Sequence, residues 1–173
     1  KLFEYSPIIG GICYREEEEK TGNLIAKLER ECNKRRKLFA AHGVGNYKAY
    51  MSSSSIPVPV IAVIVDNVVA FKELYENEYE RLISLFADAP GLGIVFVVSS
   101  AQSSIFYLRT MISFSQRISL YCNDSSEYIN LFDHCNIKPE NTAGRGIVKL
   151  GKELYEFQTA LPVTGTSEKE MLD

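Results

Sequence analysis

Residues 60–65 read Val-Ile-Ala-Val-Ile-Val, a strand-length run with no polar position on either face. A half-buried strand alternates polar and apolar residues, so an unbroken run of this length predicts a parallel-sheet strand covered on both sides. Pro57 and Pro59 deliver the chain into it, and Asp66 and Asn67 end it. A second run of the same kind spans Gly93 to Val98 after the break at Pro90 and Gly91. Between the two, Phe71, Leu74, Tyr75, Leu82, Ile83 and Phe86 hold helical spacing, and Tyr75, Tyr79, Phe71 and Phe86 read as a core-facing aromatic stripe. Strand, crossover helix and strand in succession predict an α/β fold with a mostly parallel sheet and helices on both of its faces.

The flanking segments extend this pattern. Leu24, Leu28 and Cys32 recur every four residues in a stretch running to Ala41, with the acidic run Glu16 to Glu19 ahead of it and Arg35, Arg36 and Lys37 near its end. That charge order suits a helix dipole, and Gly43 is the natural stop. Lys34 to Lys37 reads as a solvated helical turn whose four side chains diverge. A third, shorter helix is expected around Ile105 to Phe114, and a third strand at Arg117 to Cys122. Asp124 with Glu127 marks the start of a fourth helix. Gly146 to Leu150 and Leu154 to Phe157, joined through Gly151, predict a closing antiparallel hairpin.

With 173 residues, the chain has the length of one domain. The expected organisation is a single domain over residues 1–163 and a polar linker tail over 164–173. Nineteen basic against 22 acidic residues leave a formal charge of −3, so no global basic field draws in nucleic acid. Cys13, Cys32, Cys122 and Cys135 form no C-x-x-C pair, and His42 and His134 alone are left to complete a metal site, which argues against structural zinc. His134 and Cys135 adjoin in sequence, a geometry ill suited to a nucleophile and its base. The longest apolar run, Val58 to Val65, falls far short of the roughly 18 residues that span a bilayer. Lys1 at the start, without a signal-peptide pattern, suggests an internal piece of a longer protein.

In an open parallel sheet, ligands bind at the carboxyl ends of the strands, which selects Asp66 and Asn67, Ser99, Ser100 and Gln102, and Asn123 and Asp124. An apolar strand ending in an acid is the form of a Walker B element, whose carboxylate holds magnesium while a second acid prepares the attacking water. Here the second position is Asn67, an amide that cannot accept a proton at catalytic pH. The companion phosphate loop, G-x-x-x-x-G-K-[ST], is matched nowhere in the chain. Asp66 and Asn67 are therefore candidates for a degenerate catalytic pair, and Ser99, Ser100 and Gln102 for nucleotide sensing. Asp66 as a plain strand terminator remains the alternative.

The order of segments resembles FtsK/SpoIIIE-type ATPase domains. The stretch from Lys27 to Tyr50 carries Arg35, Arg36, Leu38, Phe39, Gly43, Asn46 and Tyr50 in the family's pattern of double arginine, apolar pair, asparagine-containing turn and tyrosine. Val60 to Asn67 is similar to that family's Walker B strand, and Gly93 to Gln102 to its sensor strand. The closing segment, Gly144 to Pro162, resembles the ends of such modules in type VII secretion ATPases of the EssC, YukB and EccC group. The resemblance runs from about Ile8 to Pro162.

The resemblance implies a three-layer P-loop NTPase-like fold of which this chain is the C-terminal portion, the nucleotide-binding half either lying upstream of Lys1 or never built. Asn67 in place of the catalytic glutamate implies a degenerate module, with weak or no hydrolysis, that contributes to recognition and translocation of small WXG-type secreted proteins through their C-terminal signals. ATP and Mg2+ are expected for the parent protein rather than for this fragment. Implied partners are neighbouring modules of the same chain, other secretion-machine subunits and further copies in a hexamer, on the cytoplasmic side of the plasma membrane. The competing functions are an active ATP-hydrolysing motor and a DNA-translocating one. The net charge and the closing segment argue against DNA.

Overall fold

The structure, a computed structural model, describes residues 6–105 and 108–160. The expected tail from Thr164, the Pro162 end of the closing segment, and Phe106 and Tyr107 within the expected third helix lie outside the described residues. The chain divides into two compact units, one holding Pro7–Ala101 and the other holding Gln102 onward.

The first unit opens with α1, Glu18–Ala41, six residues longer at its start than the apolar periodicity indicates. Thr21, Ile25, Leu28, Cys32, Arg35 and Phe39 form its buried face, spaced by three or four residues as one side of a helix requires. It ends in a Schellman motif: Gly43 at φ +70° lets its own N–H reach the Ala40 carbonyl and the Val44 N–H reach that of Phe39. A short α2, Tyr47–Ser53, follows, capped by the Asn46 side chain accepting from the Ala49 N–H at 2.9 Å. The sequence pattern misses this helix, whose seven residues are too few to show a period.

β1, Ile61–Val65, and β2, Ile94–Val98, pair in parallel, Ile61 opposite Ile94 through Val65 opposite Val98. Between them the expected single helix is two, α3 (Val68–Leu74) and α4 (Glu76–Leu85). The break falls at Tyr75, whose backbone leaves the helical region (φ −138°, ψ 62°) and whose buried hydroxyl donates to the Arg15 carbonyl. Tyr79 and Phe86 are buried as the aromatic stripe predicts. The core gathers Leu28, Cys32, Phe39, Tyr50, Leu85, Ala89, Leu92 and Ile94, with Phe39 stacked on Tyr50 at 4.9 Å between ring centroids.

The expectation that both faces of this sheet are covered is not met. Ile61, Val63 and Phe96 turn toward the core, whereas Ala62, Ile64, Val95 and Val97 are exposed, Ile64 at 74%. Side chains alternate between faces along a strand, so these four form one apolar surface.

The second unit departs further from expectation. β3 (Ile118–Leu120) does not extend a parallel sheet; it pairs antiparallel with β4 (Arg145–Leu150), which pairs antiparallel with β5 (Glu153–Gln158). Parallel pairing thus accounts for one of the three strand pairs among the described residues, and the mostly parallel sheet is corrected to a small parallel sheet and a separate antiparallel one. The fold class, α/β, stands. The hairpin turn carries Gly151 at φ +64°. Of the expected helix at 105–114, the described residues show α5, Leu108–Met111, with Ile105 ending a 3₁₀ turn at Ser103–Ile105. In α6, Ser125–Phe132, the Asp124 side chain caps the start by accepting from the Ser126 N–H at 2.8 Å. Glu127 does not complete a capping box; its carboxylate accepts from the Ser103 N–H at 2.6 Å. Tyr128, Phe132 and Ile147 make the core of this unit.

Candidate functional site

The carboxyl ends of β1 and β2 meet at Ser99. Its N–H donates to the Val65 carbonyl and its carbonyl accepts from the Val68 N–H, each at 2.9 Å. Its hydroxyl donates to Asp66 Oδ1 at 2.6 Å and accepts from the Asn67 N–H at 2.9 Å. One serine therefore joins the strand end, the acid and the start of α3. Asp66, Asn67 and Ser99 are all exposed, so the group opens to solvent.

Asn67 sits at φ 55°, ψ 71°, in the left-handed region that asparagine and glycine enter most readily. Its side-chain oxygen accepts from the Ala70 N–H at 3.3 Å and caps α3. The amide is thus engaged in ending the strand and starting the helix. A glutamate at this backbone conformation would be strained and would lose the cap, so the local geometry favours asparagine over an acid at this position.

Of the remaining predicted residues, Ser100 follows directly and is half-buried, while Gln102 is exposed at the start of the other unit. Asp124 is spent on capping α6; its backbone and side-chain bonds to Ser126 hold its carboxyl below the usual carboxylate range. The described residues do not fit a complete nucleotide site. The ends of β1 and β2 present one carboxylate, Asp66; the sequence has no phosphate loop, and the described residues hold no group of three or more His, Cys, Asp or Glu able to hold a metal ion.

The residues of the 27–50 stretch prove architectural. Arg35 is buried with 1% exposure, donating from Nη1 to the Leu92 and Gly93 carbonyls at 3.0 and 3.3 Å, and from Nη2 to that of Pro59 at 2.9 Å. Its Nε bonds Glu31 at 2.8 Å. One guanidinium thus fixes α1 against the entries of both β1 and β2, which a planar five-donor group can do and an ammonium cannot. Arg36 pairs with Asp88 at 3.4 Å, and Tyr47 donates to the Val58 carbonyl at 2.8 Å while its ring lies against Gly93. Sequence reasoning marked the double arginine but not the burial of its first member, because a charged residue on an amphipathic helix ordinarily faces water.

Among the described residues, no helix is long and apolar enough to cross a membrane.

No protein-family model matches the chain. Curated relatives do. It is 27% identical over 158 residues to the ESX secretion system protein EccC of Geobacillus thermodenitrificans, a match covering 91% of this chain and 11% of that protein. To the ESX secretion system protein YukB of Bacillus subtilis it is 25% identical over 159 residues, covering 91% and 10%. The chain therefore spans about a tenth of the length of these relatives. Among solved structures, EssC (ATPases 2 and 3) from Geobacillus thermodenitrificans superposes with a TM-score of 0.83 at 27% identity, over 91% of this chain and 30% of that one. The Thermomonospora curvata EccC (ATPases 2 and 3) in complex with a signal sequence peptide shares the fold, with a TM-score of 0.73 at 23% identity over 91% of this chain and 29% of that one. In sequence and in fold, the chain is related to the EssC, EccC and YukB ATPase domains of type VII secretion systems.

Proposed function

We propose that this chain is the C-terminal portion of a degenerate FtsK/SpoIIIE-type module in a type VII secretion protein, one that serves recognition and translocation of small secreted proteins and hydrolyses ATP weakly or not at all. The observation that carries this reading is the left-handed, helix-capping Asn67 directly after the strand-ending Asp66. At the position where a Walker B element needs a proton acceptor, the chain has an amide engaged in a structural bond. ATP and Mg2+ belong to the parent protein, with the phosphate loop supplied from outside this sequence.

The complete fold of the reading is a three-layer P-loop NTPase-like domain. It is supported by the apolar surface of Ala62, Ile64, Val95 and Val97, since parallel sheets are stable when both faces are covered. Burying an Ile or Val side chain contributes about 1.5–3 kcal/mol, so leaving this surface in water forgoes several such contributions. The proposed partners are neighbouring modules and the C-terminal signal of a WXG-type secreted protein. The peptide-bound relative supports the second, and the similarity of this chain to a solved structure of the cytoplasmic domain of EssC, with a TM-score of 0.75 at 27% identity, supports a location on the cytoplasmic side of the membrane.

The test is made in the parent protein with the upstream half present. Asp66→Ala leaves the ATPase rate within twofold, and a C-terminal signal peptide binds saturably. A loss of hydrolysis by orders of magnitude would instead establish an active motor with Asp66 on magnesium. Absence of saturable binding up to millimolar peptide would sink the recognition role.

A further inference from the structure

The solvent face of α1 carries a basic stripe. Lys27, Arg30, Lys34 and Lys37 follow one another at intervals of three, four and three residues, so they lie in a row along one side of the helix. All four are exposed. Over ten residues at 1.5 Å each, the row is about 15 Å long. The acids that could neutralise it from the same helix are engaged elsewhere: Glu29 bonds Arg81 at 2.7 Å and Glu31 bonds Arg35 at 2.8 Å. Among the described residues none of the four cations is in an ion pair. Four unpaired like charges on one helix face repel one another, by a few tenths of a kcal/mol for each i,i+4 neighbour.

The same unit presents the complementary charge. On α4, Glu76 and Glu80 are exposed one turn apart, and Glu73 is exposed at the end of α3. None of these three is in an ion pair among the described residues. The chain as a whole is acidic, at −3, so without the four stripe cations the remainder carries −3 − 4 = −7. An anionic polymer or membrane would meet the stripe and be repelled by the rest. A second copy brings the three exposed acids Glu73, Glu76 and Glu80 to the stripe.

We propose that the basic stripe of α1 docks on the acidic surface of α3 and α4 of a second copy of this chain, a salt-sensitive self-association built on opposite charge. The arrangement does not depend on whether the chain binds nucleotide or a secreted peptide. Contacts of this kind govern register and encounter more than affinity, and they weaken as ionic strength rises.

Sedimentation velocity of the 173-residue chain at 25 mM and 500 mM NaCl tests it. The expected result is concentration-dependent association at low salt that weakens at least tenfold at high salt. Reversing the stripe (Lys27→Glu, Arg30→Glu, Lys34→Glu, Lys37→Glu) or the acids (Glu73→Lys, Glu76→Lys, Glu80→Lys) abolishes it in each variant alone, and an equimolar mixture of the two restores it. The milder pair Lys27→Gln and Lys34→Gln weakens it without reversal and covers the case in which a reversed variant fails to fold. A chain that stays monomeric at low salt overturns the proposal, as does association indifferent to salt and to both charge sets. Loss of binding to phosphatidylserine vesicles in the stripe variant, with self-association unchanged, would assign the stripe to a membrane surface and equally overturn it.

Discussion

The Ser99 hydroxyl donates to Asp66 Oδ1 at 2.6 Å and accepts from the Asn67 N–H at 2.9 Å, joining the ends of two strands whose residues lie more than thirty positions apart. The candidate acid is therefore oriented by the neighbouring strand rather than by its own. Ser99→Ala removes both bonds at once. Because the group is open to water, which replaces part of what is lost, the expected cost is about 1 kcal/mol, read as a lower urea midpoint at unchanged slope. Ser99→Thr keeps the hydroxyl and is expected to stay near wild type; equal losses in both variants would mean that the hydroxyl bonds contribute nothing.

Substitutions at Asn67 separate backbone conformation from chemistry. Asn67→Gly tolerates φ 55° and loses only the side-chain cap, for about 0.5 kcal/mol. Asn67→Glu pays for the left-handed conformation and the lost cap together, about 1–2 kcal/mol. An acid at this position therefore destabilises the chain, and no gain in the ATPase rate of the parent protein is expected. Chemical denaturation of the three proteins gives the order; a glutamate variant as stable as wild type would contradict the structural role of Asn67.

Arg35 is the substitution with the largest expected effect. Arg35→Met removes the guanidinium donor from the carbonyls of Pro59 and Leu92, while that of Gly93 keeps the Ile61 N–H, and it strips Glu31 of its partner, at a cost of about 3 kcal/mol or more. Arg35→Lys keeps the charge but cannot reach carbonyls on two strand entries at once, so it recovers less than half of the loss. Thermal or urea unfolding that finds lysine equivalent to arginine would refute this division.

The four cysteines are free thiols, and Cys32 differs from the rest in being buried, with 1% exposure. Burial pushes its thiol above the ordinary range, which disfavours the reactive thiolate. Titration with a thiol reagent under native conditions is expected to modify Cys13, Cys122 and Cys135 before Cys32, which reacts only on unfolding. Early modification of Cys32, mapped by mass spectrometry, would show that the α1 core opens readily.

The Arg81 guanidinium, hydrogen-bonded to Glu29, holds that carboxyl below the usual glutamate range. A lowered folded-state value means that the stabilisation is fully present above the unfolded pKa, about 4.3, and is lost as pH falls through the folded value. Glu29→Gln is therefore expected to flatten the acid limb of the stability curve below about pH 4.3 and to leave the neutral-to-alkaline limb unchanged. An acid limb identical to wild type would show that the pair is open in solution.

Elements whose signals are local are legible in the order of residues alone. The apolar runs at 60–65 and 93–98 formed strands, the four-residue spacing from Leu24 formed α1, Gly43 and Gly151 took the turns, and Asp124 capped α6. Each signal acts within a few residues, where periodicity, backbone freedom and capping are already written in the order of side chains. Long-range packing sets the rest: β3 pairs antiparallel with β4, the parallel sheet leaves Ile64 and Val97 exposed, and Arg35 lies inside while Lys27, Arg30, Lys34 and Lys37 form a row outside. It likewise places Asn67 as a helix cap at positive φ and brings Ser99 to Asp66. Strand pairing and burial depend on partners tens of residues away, and no local pattern states which partner a segment will meet.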